Sequence, residues 1–406
     1  METGPVGAVL REVPFSKGVN FSGWFEAASV QGVSFTRYIE QDFANVKSLG
    51  VDVIRLPIKM HSMTGGEPDY TIDPLLFKFL DTVVDWAEKY QIYIIIDNHS
   101  FNEGGPTRDD VDKVLIPVWT QVARHYKDRS EYVLYEIMNE PYGISDKRWG
   151  DIQGKVIETI RMYDQEHTII VGGTEYNSVN KLSSIPVYSD PNLIYTFHFY
   201  DPLMFTHQGA SWASPMEHLS GVPFPAVRRR IPKINAKLRG TWVEESMRNY
   251  IRDADPAKLL AALDRVVEFS RKRDVPVFCG EFGVYNRTSP PEDRITWYKF
   301  VSDAMNERNI PRTSWDYYGG FGVFNADGRG DFNSDLNVDI AYAMGFTPPV
   351  QIPRSSEPLK TGFFLYDDYP NIENSAGHWG NNADFSLYDT NSAEGEFAIR
   401  WGNASL

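Results

Sequence analysis

The sequence predicts an α/β fold, a (β/α)8 barrel with a short β-rich C-terminal extension, and three observations carry that expectation. Eight apolar or β-branched runs begin near residues 18, 52, 92, 132, 168, 194, 275 and 312, and amphipathic stretches or loops separate them. Some of these runs, such as Ile92-Tyr93-Ile94-Ile95-Ile96, are apolar without alternation, as expected of strands covered on both faces. Most of the runs end on polar or charged residues, as strands do when their carboxyl ends form one rim. An open, doubly wound sheet is the rival arrangement; so many polar endings favour the closed ring.

In chain order, Gly18-Val19-Asn20-Phe21 is a short strand leading into a loop at Ser22-Gly23-Trp24-Phe25-Glu26. Residues 38 to 49 space their apolar positions as a helix does, and Gly50 closes them. The run Val51 to Pro57 is a strand carrying Arg55, followed by loop residues His61 to Asp73. A helix over about 74 to 90, with Leu76, Phe79, Leu80, Val83, Val84 and Trp86 on one broad stripe, precedes the strand that ends at Asp97. After Asn98-His99 and the Gly104-Gly105-Pro106 turn, a helix over about 110 to 127 leads to the strand Tyr132 to Glu140. Pro141 seals that strand, because proline has no N–H to donate and biases the preceding residue toward extended geometry.

A helix near 147 to 164 and strands at Thr168 to Val171 and Leu193 to Tyr200 come next. Residues 201 to 256 contain no simple strand–helix unit and read as a lid or inserted subdomain over the same rim. A helix over about 256 to 272 restores the alternation before the strand Val275 to Glu281. A helix near 292 to 308, a strand at 312 to 316 and a helix near 335 to 343 complete a domain over residues 1–350. Residues 351–360 read as a linker, and 361–406 as a β-rich tail with strands expected at 362–366, 385–388 and 396–401. The tail is too short for an independent sandwich, so it is expected to be the start of a larger β module of carbohydrate-binding type, and an element through which the chain self-associates.

The formal charge of −15 opposes binding to nucleic acid or to an anionic membrane, and the basic cluster Arg228 to Arg239 is a solvated face. The lone Cys279 lies in an apolar strand and reads as a buried structural thiol. No metal is expected, since the eight histidines include no His-x-x-x-His pair, and no cofactor is called for. Met1 to Pro5 lacks the basic start and apolar stretch of a leader peptide, which is expected to have been removed already.

Glu140 and Glu281 are the key residues, two carboxylates delivered by two strand ends to one rim. Such a pair suits hydrolysis of a glycosidic bond, one group protonating the leaving oxygen and the other attacking or activating water. With them the strand ends collect Arg55, His99, Asn139, His198, Tyr200 and Trp315. The chain from about 17 to 346 resembles glycoside hydrolase family five. The resemblance runs through Val-Ile-Arg-Leu-Pro at 53, Asp-Asn-His at 97, Met-Asn-Glu-Pro at 138, His-Phe-Tyr at 198, Gly-Glu-Phe-Gly at 280 and Ser-Trp-Asp-Tyr at 314. All eight positions match the family's pattern.

The resemblance implies a (β/α)8 (TIM) barrel and a retaining mechanism with Glu140 as acid/base and Glu281 as nucleophile. Arg55 and Tyr200 are expected to keep Glu281 ionised. Asn139 is expected to meet the sugar 2-hydroxyl, His99 and His198 to complete the polar floor, and Trp315 to stack on a glucosyl ring. Trp24, Trp212 and Gln208 are candidates for outer subsites, as are His61 and His207. Glu136 shares strand parity with Glu140 and is the rival for the acid, but it lies four residues deeper, where a buried pair with Arg55 fits better, and Asp97 and Asp201 fit orienting or loop-forming roles. The long loop from Asp201 resembles cellulase-like members, giving a secreted endo-β-1,4-glucanase acting on a β-glucan polysaccharide. A β-mannanase, xyloglucanase or mixed-linkage glucanase would use the same machinery, and a non-catalytic polysaccharide-binding barrel is the reading from another class.

Overall fold

The computed structural model describes residues 10–100, 105–326 and 330–352, and the backbone of 384–388 and 398–402. Its strands are β1 (Lys17–Asn20), β2 (Val53–Ile58), β3 (Tyr93–Asn98), β4 (Val133–Glu136), β5 (Ile169–Gly172), β6 (Leu193–Phe199), β7 (Val277–Phe282) and β8 (Arg312–Ser314). They pair in parallel in chain order, and β8 returns to β1 with Lys17 opposite Arg312, closing the barrel. Helices at Glu40–Ser48, Pro74–Lys89, Asp112–Tyr126, Asp146–Arg161, Pro256–Arg273 and Pro291–Glu307 supply six of the seven crossovers that parallel strands require, short helical turns over 174–184 link β5 to β6, and Val338–Ala343 follows β8. Asp73 and Asp255 start two of them, each accepting the main-chain N–H two residues on, with proline in the first turn.

Strand alternation positions the site. Phe15, Val53, Ile95, Leu134, Ile170, Ile194 and Phe278 form a buried cluster of their own, a layer inside the barrel toward its amino end. Side chains two residues further along a strand share the inward face, so Arg55, Asp97, Glu136 and Thr196 form the next layer toward the carboxyl rim. On β7 that count alone would select Gly280. A register shift against β6, where Phe197 faces Cys279 but His198 faces Glu281, inserts one extra residue and brings Glu281 to the rim. Gly280 is required there, since a Cβ would lie 2.7 Å from Thr196 Oγ1 and 3.1 Å from His198 Nε2.

Two elements differ from expectation. β4 ends at Glu136, and Ile137 to Glu140 continue beyond the ladder, because Asn139 N donates to Asn98 O and the chain turns toward Pro141. Within 201–256 a helix, Trp242–Asp253, buries only Val243, Met247 and Tyr250 among charged neighbours, too sparse a stripe to stand out in the sequence. No helix among the described residues is long and apolar enough to cross a membrane.

The chain divides into two compact units, one of residues 1–34 with 38–351 and one of residues 35–37 with 352–406. In the second, β9 (Asp384–Tyr388) and β10 (Ala398–Gly402) pair antiparallel with Phe385 opposite Trp401; the strand expected at 362–366 lies outside the described residues.

The inner layer is well packed, so Leu134→Ala is expected to lower the unfolding free energy by about 2–5 kcal/mol in a denaturant titration. A loss under about 1 kcal/mol would mean that Leu134 does not carry this layer.

Candidate functional site

Arg55 lies at the centre of the rim layer and is fully buried. Its Nε and Nη2 donate to the two oxygens of Glu136 at 2.7 and 2.9 Å, and Nη2 also reaches Asn139 Oδ1 at 2.7 Å and Asp97 Oδ2 at 3.0 Å. Nη1 donates to Asn20 Oδ1 at 3.0 Å and to Glu281 Oε1 at 2.7 Å. Burial works against the guanidinium charge, but Asp97, Glu136 and Glu281 outweigh it and hold its pKa well above the usual range. Burial likewise raises Glu136, with Arg55 pulling against it. Asn20 is a partner that the sequence does not single out; besides accepting from Arg55, its amide donates to Gly280 O and Ser314 O, tying β1 to β7 and β8.

Both oxygens of Glu281 are engaged, Oε1 by Arg55 and Oε2 by the Tyr200 hydroxyl at 2.8 Å. Tyr200 is held in its un-ionised, donating form, because burial and then the negative charge of Glu281 push its pKa well above 10. Glu140 has no cation bonded to it. Its side chain is 17 % exposed, and Oε1 lies 2.6 Å from His198 Nδ1. Burial raises the Glu140 carboxyl to about 7 against the opposing pull of His99 and Arg55. Burial also lowers His198 to about 4, so this histidine is neutral.

One oxygen of Glu140, one oxygen of Glu281 and a ring nitrogen of His198 all lie within 4.8 Å of one another. Among the described residues this is the one cluster of such groups able to share a metal ion. A cation there would have to compete with Arg55 and Tyr200, which already occupy Glu281. What the arrangement offers directly is a carboxylate ringed by donors facing a carboxyl that, raised to about 7, still holds its proton in about half of the molecules at neutral pH.

His99 Nδ1 lies 2.7 Å from Asp97 Oδ2, and its ring stacks on half-buried Trp315 at 5.2 Å and 15°. Burial opposes a charge on His99, but Asp97 outweighs it and pushes the imidazole up to about 9. Nε2 sits 3.3 Å from the Asn139 amide nitrogen, a contact that suits a neutral ring. The Asp97 contact needs only the Nδ1 proton, which a neutral ring also carries, and Nε2 is then the acceptor for the Asn139 amide, with Glu26 Oε1 at 3.9 Å from it.

The outer candidates separate into two groups. Trp212 is 59 % exposed, edge-on to Tyr285 at 4.9 Å and beside His207 and Phe321, and it offers an open ring face. His207 packs edge-on to Tyr200 at 4.9 Å, and burial lowers its pKa to about 4. Trp24 does not join this rim: it is 5 % exposed and packs on Phe25 and Tyr38, as the apolar neighbours of its loop demand. Gln208 is fully buried, donates to Phe205 O and Val222 O and accepts from Val222 N, so its amide braces the loop and has no group left for a ligand. His61 is half-buried against Asn98, and Asp201 accepts from Trp297 through its backbone carbonyl.

The loop after β5 also reaches the site, which the sequence gives no reason to expect. Glu175, Tyr176 and Asn177 have consecutive φ values of 52, 61 and 53°, left-handed geometry that costs about 1–2 kcal/mol per non-glycine residue. Asn177 donates its amide to Asn139 O and packs over Gly172, where a Cβ would lie 2.2 Å from Asn177 Oδ1.

The chain is similar to known proteins in sequence and in fold. A family description, cellulase (glycosyl hydrolase family 5), matches residues 16–320. Endoglucanase 3 of Fibrobacter succinogenes is 29% identical over 76% of this chain and 50% of its own length. Endoglucanase H of Acetivibrio thermocellus is 31% identical over 76% of this chain and 30% of its own length, so this chain spans half or less of these two relatives. The crystal structure of endoglucanase Cel5A from the hyperthermophilic Thermotoga maritima superposes with TM-score 0.68 at 27% identity, covering 81% of this chain and 96% of that one. That protein has also been crystallised in complex with mannotriose, described as a substrate.

Removing the central cation leaves buried carboxyl groups unpaired, so Arg55→Met is expected to cost roughly 3–5 kcal/mol of unfolding free energy at pH 7. Those carboxyls then have folded-state pKa values above their unfolded ones, bind more protons folded than unfolded, and make the variant less stable as pH rises. The deficit should therefore shrink from pH 7 to pH 5 in urea titrations, and a deficit that grows on acidification would contradict this account of Arg55.

Proposed function

The chain belongs to glycosyl hydrolase family 5, and from that premise we propose that it is a retaining endo-β-1,4-glucanase, acting outside the cell. The observation that carries the reading is the Glu140–Glu281 pair, with oxygens within 4.8 Å, one held as an acceptor by Arg55 and Tyr200 and the other raised to about 7. Retaining enzymes hold their two carboxyl groups about 5–5.5 Å apart, and inverting enzymes about 6.5–9.5 Å, leaving room for a water.

In the first step a Glu281 oxygen bonds to the anomeric carbon as the bond to the leaving oxygen breaks, and the Glu140 proton passes to that oxygen. The negative charge of Glu281 is consumed in the ester, which lowers the cost of ionising Glu140. In the second step Glu140 takes a proton from water, the water oxygen bonds to the anomeric carbon, and Glu281 leaves as carboxylate. Two inversions give net retention. Arg55 and Tyr200 hold the nucleophile on its line of attack throughout. The Asn139 amide nitrogen is the group we assign to the sugar 2-hydroxyl, because Asn139 Oδ1 is committed to Arg55. Trp315 and Trp212 offer ring faces to pyranose C–H surfaces, Trp315 from one side of its indole with His99 against the other.

The endoglucanase names of the relatives support a β-glucan as substrate, and a polymer of that size implies export. The mannotriose complex of the Thermotoga relative supports β-mannan as the second reading. We also propose that the C-terminal region offers a contact to a second chain.

A panel of carboxymethyl cellulose, mixed-linkage glucan, xyloglucan, glucomannan and galactomannan tests the substrate. Rapid viscosity loss on the cellulose derivative, absent in Glu281→Ala, is the expected result. Cleavage of mannan or xyloglucan alone would overturn the glucan assignment, and activity persisting in Glu281→Ala would overturn the site.

The acid must carry its proton, so kcat/KM on cellopentaose is expected to fall about tenfold per pH unit above about 7, as Glu140 ionises. Cellobiosyl fluoride, whose leaving group needs no proton, should lack this alkaline limb. A limb of equal steepness with the fluoride would assign it to another group.

A further inference from the structure

Two tyrosines beside the acid have no part in the steps above. Tyr142 follows Glu140 by two residues, and Tyr176 sits at the middle of the left-handed run after β5. Their rings stack with centroids 4.8 Å apart and planes 14° from parallel. Tyr142 is fixed from three directions: its N–H donates to Thr107 Oγ1 at 3.1 Å, its carbonyl accepts from Thr107 N at 2.9 Å, and its hydroxyl donates to Gly105 O at 2.6 Å. Tyr176 is 52 % exposed, and its backbone N–H donates to Pro141 O at 3.3 Å, which ties it to the residue after the acid.

We propose that the stacked pair Tyr142–Tyr176 is the platform for the sugar on the leaving-group side of the scissile bond, a β-1,4-linked hexopyranosyl unit. The inference rests on the assignment of Glu140 as the acid. Since Glu140 protonates the departing oxygen, the sugar carried by that oxygen lies on the Glu140 side of the cleft, where this pair stands. One face of Tyr142 is covered by Tyr176, and Tyr176 is left more than half exposed. A β-1,4-linked hexopyranose ring presents axial C–H groups to such a face. Trp24, in the loop after β1, is buried. Here three successive left-handed residues, clamped to Asn139 O and Pro141 O, instead hold an aromatic ring out beside the acid. Backbone strain at a cleft, held in place by contacts to a reacting group's own loop, is the pattern expected where position serves a ligand.

The test compares a substrate that fills the leaving-group side with one that leaves it empty, cellopentaose against cellobiosyl fluoride, or mannopentaose against mannobiosyl fluoride if the panel selects mannan. Tyr176→Ala is expected to lower the ratio of the two kcat/KM values about five- to tenfold. Tyr176→Phe, which keeps the ring and loses the hydroxyl, should hold the wild-type ratio. An unchanged ratio in Tyr176→Ala, which includes an equal loss on both substrates, would overturn the platform, and a lowered ratio with the alkaline limb on the pentaose lost or displaced from about pH 7 would make Tyr176 a brace for the acid loop instead. If the wild type hydrolysed neither pair, the assignment of the acid would fall first and this inference with it.

Discussion

One buried guanidinium organises the centre of the barrel. Arg55 on β2 bonds directly to residues of β1, β3, β4 and β7, and each partner is a group that the chemistry uses or that orients one. A charge with no solvent access is tolerable only if its donors are all taken by well-placed acceptors. Arg55 meets that condition with Asp97, Glu136, Glu281, Asn20 and Asn139. The reverse dependence also holds, because Glu281 sits at 6 % side-chain exposure with both oxygens bonded, one to Arg55 and one to Tyr200. Asp97 also bonds His99 Nδ1, so the layer gathers one guanidinium and one imidazole around three carboxyl groups.

That balance separates the roles of the two glutamates. Glu281 faces cation and hydroxyl, whereas Glu140 stands past the end of its strand beside neutral His198. Desolvation without a bonded cation raises a carboxyl, and desolvation with one need not. The same residue type thus serves as proton donor or as anion according to where a strand or its extension sets it down.

The barrel and its polar rim were legible in the sequence because buried parallel strands are continuous apolar runs, and polar endings mark their rim. Arg55, Asn139, Glu140 and Glu281 could be picked out by that rule, each closing or following such a run. Asn20 could not, since a single asparagine in a four-residue strand carries no pattern until its inward parity is known. Trp24 and Gln208 looked like ligands because loop aromatics and amides often are, but the loop's own packing claimed both. The helix Trp242–Asp253 was hidden by its three-residue apolar stripe, and the left-handed turn at 175–177 by the lack of any glycine to announce it. These are tertiary facts, settled by neighbours far away in the chain.

The span of the Arg55 network also bears on how the chain reaches its native state. Arg55 and Glu281 are 226 residues apart, so the contact between them waits until β7 has been placed in the ring. A partly closed barrel lacking β7 keeps one of its central acceptors in solvent, and it gains little by burying the arginine early. The desolvation of the polar layer is therefore deferred to the last stages of closure, as expected of folds dominated by long-range contacts. Barrel completion and creation of the reactive pair become a single cooperative event, and a protein emerging from synthesis holds no premature half-site.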